Sequence, residues 1–119
     1  MKAFGIEFKK DLREISTKDL AYIGDAVFEL YCRLSFSFDS KTVKAHVNAK
    51  SQAIKYDFIE PFLHEDEKEI AMRGRNLKSP RSKDPSYRKA TALESVIGYL
   101  FLAGRSERLE EILSLSLKI

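Results

Sequence analysis

The chain has 119 residues, 44% of them apolar and 33% charged, with a formal net charge of +3. That length suits one domain, residues 1–119, built around one core, and its longest apolar run, Ser95 to Ala103, falls well short of the ~20 residues that cross a bilayer. A single cysteine, Cys32, excludes an intrachain disulfide, and the first residues lack the apolar stretch of a signal peptide, so the expected location is a reducing cytoplasm with no membrane partner.

Residues 1–15 read as an N-terminal arm in which Phe4, Ile6, Phe8 and Leu12 are available for packing. Ser16-Thr17-Lys18-Asp19 has the form of a capping box, and Leu20, Ile23, Val27, Leu30, Tyr31 and Leu34 follow at helical spacing, which predicts a helix over 17–35. A second helix is expected over 41–60, burying Val43, Val47, Ala53, Ile54 and Phe58, until Pro61 stops it. The acids of His64-Glu65-Asp66-Glu67 suit a helix N-terminus and open a third helix that ends near Gly74. Residues 76–85 carry two prolines and no periodicity, hence an exposed loop. A long buried helix over 86–103 closes at Gly104, and Ser106 caps a last one that buries Leu109, Ile112, Leu113 and Leu117. No period-2 segment stands out. The expected fold class is all-α.

Two acids interrupt the most apolar stretches. Asp25 lies in Leu20-Ala21-Tyr22-Ile23-Gly24-Asp25-Ala26-Val27-Phe28, and Glu94 in Ala90-Thr91-Ala92-Leu93-Glu94-Ser95-Val96-Ile97-Gly98. A carboxylate taken out of water is costly unless a cation compensates it. Gly24 and Gly98 each cost their helix ~1 kcal/mol relative to alanine, but a small-residue face lets two helices approach closely and bring the acids together. Two carboxylates converging in this way suit a hard divalent ion such as Mg²⁺, which takes few protein ligands, with Mn²⁺ able to substitute. Glu29, one turn beyond Asp25, is either an outer group of that site or an ordinary surface partner of a basic residue. His46 and His64 have no companion at zinc-ligand spacing, and no glycine-rich phosphate loop is present.

Charge is unevenly spread. Arg73 to Lys89 holds seven basic residues against one acid, Asp84, and Lys41, Lys44, Lys50 and Lys55 form a second group beside His46. Segregation of this kind suggests a polyanionic partner.

The motifs and their order resemble the ribonuclease III family. Ala21-Tyr22-Ile23-Gly24-Asp25-Ala26-Val27-Phe28 is similar to the family signature, and Thr91-Ala92-Leu93-Glu94-Ser95-Val96-Ile97-Gly98 to its second acidic motif, with Ala21 and Thr91 standing where the family carries two further acids. The reduced acid set, together with Val47-Asn48-Ala49-Lys50-Ser51-Gln52-Ala53, Arg73-Gly74-Arg75-Asn76 and Tyr87-Arg88-Lys89-Ala90, resembles the Mini-ribonuclease III branch, a catalytic domain without a double-stranded-RNA-binding domain. The resemblance implies a helical endonuclease bundle and Mg²⁺-dependent cleavage of double-stranded RNA that leaves 5′-phosphate and 3′-hydroxyl ends. The implied substrate is precursor 23S ribosomal RNA, cut at the duplex formed by its paired ends, with a ribosomal protein as a helper that presents it. Asp25 and Glu94 are the implied catalytic metal ligands, and Tyr22 marks the interface of a symmetric homodimer. RNA contacts are expected from Lys50, Arg73, Arg75, Asn76, Lys78, Arg81, Lys83 and Arg88. The absent acids at 21 and 91 leave one alternative, a non-catalytic RNA-binding protein of the same fold associated with ribosome assembly.

Overall fold

A computed structural model describes residues 1–119. The chain opens with a small antiparallel hairpin, β1 (Lys2–Ala3) and β2 (Ile6–Glu7), and a single 3₁₀ turn at Leu12–Glu14. Six helices follow: α1 (Thr17–Ser35), α2 (Ser40–Val47), α3 (Ala49–Ile59), α4 (Glu65–Arg75), α5 (Pro85–Leu102) and α6 (Ser106–Ser116). Apart from the hairpin, which gives the arm a form that the sequence had not indicated, the fold is all-α. No helix is long and apolar enough to cross a membrane.

Local chemistry sets the helix ends. Ser16 Oγ accepts from the Asp19 backbone N–H at 3.0 Å and starts α1, as the capping motif predicts. Asp84 Oδ1 accepts from Ser86 N at 3.0 Å ahead of Pro85 and starts α5. Gly104, at φ +71°, turns the chain out of α5 in the left-handed region that glycine adopts without strain. Ser106 is the first residue of α6 rather than its cap; Arg105 holds the cap position, and no side chain closes it.

The helix expected over 41–60 is two helices, and Asn48 divides them. Its Nδ2 donates to the Lys44 and Ala45 carbonyls at 3.0 and 3.3 Å, while its Oδ1 accepts from Ser51 N at 2.9 Å. One amide therefore finishes α2 and caps α3, with Asn48 itself extended at ψ 158°. Ser51 Oγ donates to the Ala45 carbonyl at 2.6 Å and fixes the corner further.

Helix α5 is the axis of the bundle. Ala92, Leu93, Val96, Ile97 and Leu100 are fully enclosed by α1, α3, α4 and α6. Gly24 meets Glu94 while Gly98 meets Leu20, so α1 and α5 run antiparallel with their backbones almost touching. A Cβ on Gly24 would fall 1.7 Å from the Glu94 carbonyl oxygen, and one on Gly98 would fall 1.9 Å from that of Leu20. Gly74 plays the same part between α4 and α5, where a Cβ would lie 2.7 Å from Ser95 Oγ.

This contact fixes which face of α1 is buried. Leu20, Ala21, Gly24, Phe28 and Cys32 are buried, whereas Leu30 and Leu34, expected inside, are 53% and 61% exposed. The expectation followed hydrophobicity; the packing is set by the close approach at Gly24, which puts Ala21 and Gly24 on the seam with Leu20, Phe28 and Cys32 beside them and turns Leu30 and Leu34 outward. On α3 the expected burial of Ile54 also fails: it is exposed, while Lys55 is buried with its ammonium donating to the Ser116 and Ile119 carbonyls at 2.9 and 3.1 Å. One acceptor in the last turn of α6 and one just beyond it satisfy the charge that burial would otherwise strand.

Gly24→Ala should destabilise the fold by roughly 3 kcal/mol or more, because overpacking here strikes backbone rather than a flexible side chain. Urea denaturation checks it; a loss within about 0.5 kcal/mol, the range of neutral surface changes, would show that the two helices separate freely.

Candidate active site

Antiparallel packing of α1 on α5 brings Asp25 and Glu94 to one place. Both line a cleft of about 350 Å³ whose floor is Ala21 and Thr91 and whose wall is the Leu77–Pro80 stretch of the loop between α4 and α5. Lys18, Tyr22, Lys78 and Tyr87 complete its lining. The two small side chains at 21 and 91 thus stand directly beside the acids. Thr91 Oγ1 donates to the Tyr87 carbonyl at 2.9 Å, so its hydroxyl proton is spent inside α5.

The two acids are not equivalent. Asp25 is exposed at the mouth of the cleft, contrary to the expectation that both acids are buried, whereas Glu94 is half-buried against α3. Burial pushes the Glu94 carboxyl up to about 9, and the neighbouring Asp25 carboxylate adds to the shift by its hydrogen bond and its charge. The Gln52 amide beside it acts in the opposite direction, favouring the ionised form. Near neutral pH Glu94 therefore holds its proton, and the pair carries less than its full negative charge. No arginine or lysine forms an ion pair with either acid. Two carboxyls without a basic partner in one cleft are a donor set that suits a divalent ion, which would take the place of the Glu94 proton.

A second acidic group has the opposite character. His64, Asp66 and Glu67, at the start of α4, bring ligand atoms within 4.8 Å of one another. Glu67 is fully buried, but Arg108 binds it through Nε and Nη2 at 2.8 and 2.7 Å, and Arg105 Nη1 binds Asp66 at 2.7 Å. Burial raises both carboxyls, but hydrogen bonds from the Tyr99 hydroxyl and Arg105 to Asp66, and from Arg108 and the His64 N–H to Glu67, hold both below their usual range. This network ties α4 to α6 and is already neutralised.

The basic residues divide in the same way. Arg73, Lys78, Lys83 and Lys50 are exposed without an ion-pair partner, and Arg88 is half-buried without one. Arg75 instead lies 3.8 Å from Glu60, and Arg81 stacks on Tyr87 at 4.7 Å while pairing with Asp84 at 3.6 Å. Asn76 caps α4, with its backbone N–H turned to the Met72 carbonyl at 3.0 Å and its side chain exposed. The proposed second basic group is not one surface: Lys55 is buried, and His46 stacks on Phe36 with ring centroids 4.6 Å apart. Glu29 pairs with Arg33 at 3.3 Å, the ordinary surface role.

Sequence reasoning missed Lys18 and Gln52. Lys18 lines the cleft with its ammonium 5.7 Å from the centre of the Tyr22 ring; its place seven residues before Asp25, two turns along one helix face, was the available signal. Gln52 is 2% exposed; it lies in the Val47–Ala53 motif, but periodicity alone does not separate it from a solvent-facing glutamine.

Comparison with known proteins agrees with this geometry. The model of the ribonuclease III domain matches residues 18–105. A Mini-ribonuclease 3 from a Thermoanaerobacter species is 41% identical over 123 residues, covering 93% of this chain and 87% of its own. One from Clostridium tetani is 42% identical over 129 residues, covering 97% and 85%. The crystal structure of a Fusobacterium nucleatum protein, 39% identical, superposes with a TM-score of 0.79 over 92% of this chain and 98% of that one.

A raised carboxyl makes stability depend on pH. Glu94 is displaced from 4.5 to about 9 on folding, so the folded chain binds the extra proton and loses stability as pH rises through that window. Without divalent metal, Glu94→Gln should therefore raise Tm by an amount that grows from about pH 5 to about pH 9. A thermal melt series in chelator checks it; a pH-independent difference would remove the strain assigned to Glu94.

Proposed function

The chain belongs to the ribonuclease III family, and from that membership we propose a divalent-metal-dependent endoribonuclease that cuts double-stranded RNA at the Asp25–Glu94 cleft. The observation that carries the reading is the meeting of two unpaired carboxyls in an open cleft rimmed by Lys18 and Lys78.

Asp25 and Glu94 would hold the ion, with Mg²⁺ the expected one and Mn²⁺ its substitute. When bound, such an ion activates water and offsets charge growing on the phosphate oxygens. Glu94 would hold the ion as its carboxylate, in place of the proton that it carries in the metal-free protein. Asp25, exposed at the mouth of the cleft, would orient the attacking water. Lys18 and Lys78 face the same space and are positioned to neutralise phosphates on either side of the cut. Hydrolysis in this sense leaves a 5′-phosphate on one fragment and a 3′-hydroxyl on the other.

RNA binding is assigned to Arg73, Lys78, Lys83, Arg88 and Lys50, with Asn76 offering its amide to a 2′-hydroxyl. Contacts of this kind read the A-form backbone by shape and charge and weaken steeply with salt. Arg75 and Arg81 contribute less, since each has a protein partner.

A symmetric homodimer is part of the proposal. Tyr22, Leu30 and Leu34 are 62%, 53% and 61% exposed on α1, and Ala26 is exposed between them at four-residue spacing. An apolar stripe left open on the same helix that carries Asp25 suits a two-fold contact, which would set two clefts on one duplex and cut both strands. The substrate we favour is precursor 23S ribosomal RNA, presented by a ribosomal protein.

Asp25→Asn should leave folding and duplex binding intact and lower Mg²⁺-dependent cleavage of a long RNA duplex by about 10³-fold, since it removes several kcal/mol of metal-derived stabilisation. Gel analysis of the products checks it. Cleavage by the variant at the wild-type rate would contradict the assignment, and binding without cleavage by the wild type in Mg²⁺ would favour a non-catalytic RNA-binding protein.

A further inference from the structure

Gln52 is the one buried side chain whose polar group has no partner. Its residue is 2% exposed, and its Nε2 makes no hydrogen bond. An unpaired buried amide costs about 1–3 kcal/mol, and a leucine of similar volume would avoid that cost. The position is also rigid. Gln52 lies in the first turns of α3, directly after the corner that Asn48 and Ser51 lock with four hydrogen bonds at 2.6–3.3 Å. Helix α3 packs along α5, and the Gln52 amide lies near enough to the Glu94 carboxyl to favour its ionised form, although its Nε2 completes no hydrogen bond of good geometry. A group that weakens the core, is held firmly, and stands behind one acid of the cleft has the features of an outer support to that acid.

The geometry points to Gln52 as a positioning residue: its buried, otherwise unpaired Nε2–H would donate to the Glu94 carboxylate when Asp25 and Glu94 hold a divalent cation. The inference rests on the metal reading of the Asp25–Glu94 pair. Gln52 touches neither ion nor RNA. Its contribution is to fix one orientation of Glu94, which an unsupported carboxyl would share with others, and so to raise the affinity of the pair. Supports of this class typically contribute about 10–100-fold to metal affinity.

The test is Mn²⁺ binding to the RNA-free protein, followed by electron paramagnetic resonance of the free ion, alongside thermal melts. In Gln52→Leu we expect Tm in chelator to equal or exceed that of wild type while the Mn²⁺ Kd weakens about tenfold. Cleavage by this variant should recover as Mn²⁺ is raised, with an unchanged KM for RNA. Gln52→Met, unbranched and close in length, supplies the same comparison should the leucine variant fail to fold. Asp25→Asn is titrated in parallel. If Asp25→Asn abolishes binding while the folded Gln52 variant keeps Mn²⁺ affinity within twofold of wild type, the positioning role is overturned and the metal site stands. If wild type and Asp25→Asn bind alike, the metal reading itself fails and takes this inference with it.

Discussion

Everything at the cleft depends on how closely two helix backbones approach. At Gly24 and Gly98 there is no space for even one methyl group between α1 and α5. Any wider separation would move Asp25 and Glu94 apart, and the cleft would become a groove between two unrelated acids. The same approach explains why α1 buries Ala21 and Gly24 while it leaves Leu30 and Leu34 outside. Small residues form the contact, and the larger ones on the far side are left for another surface. A stability cost at two glycines, an intact pair of acids and an open apolar stripe are consequences of one packing choice.

The protein contains two solutions to the problem of a buried acid, and the contrast between them separates structure from chemistry. Glu67 is completely enclosed, yet two hydrogen bonds from Arg108 keep it ionised. That acid is finished. Glu94 is less enclosed but has another carboxylate for a neighbour and no basic partner, and its proton is correspondingly hard to remove. The first arrangement anchors helices. The second leaves a deficit of positive charge facing solvent at the mouth of a cleft, which is the condition under which a divalent ion binds.

Much of this was legible in the chain itself. The helix boundaries of α1, α4 and α5 follow from Ser16, the acids at 65–67, Pro85 and Gly104, because caps and breakers act locally. The acids at 25 and 94 stood out against apolar neighbours, and the glycines beside them indicated close packing. The rest required three dimensions. Asn48 reads as an ordinary helical residue until its amide is seen serving two helix ends. Lys55 reads as a surface charge until the carbonyls of Ser116 and Ile119 appear around it. The uniform basicity of 73–89 hides the fact that Arg75 and Arg81 are engaged by Glu60, Asp84 and Tyr87, while Lys78 is free. Gln52 was illegible for the same reason: its significance lies in what it faces and in the partner that it lacks.

The central claim, that Asp25 and Glu94 together hold one divalent ion, is tested most directly by diffraction from crystals grown in Mn²⁺ and read through the metal's anomalous signal. A peak in contact with a carboxylate oxygen of each residue is the result predicted. A well-ordered cleft with no peak between them, or Mn²⁺ found only among His64, Asp66 and Glu67, would contradict it.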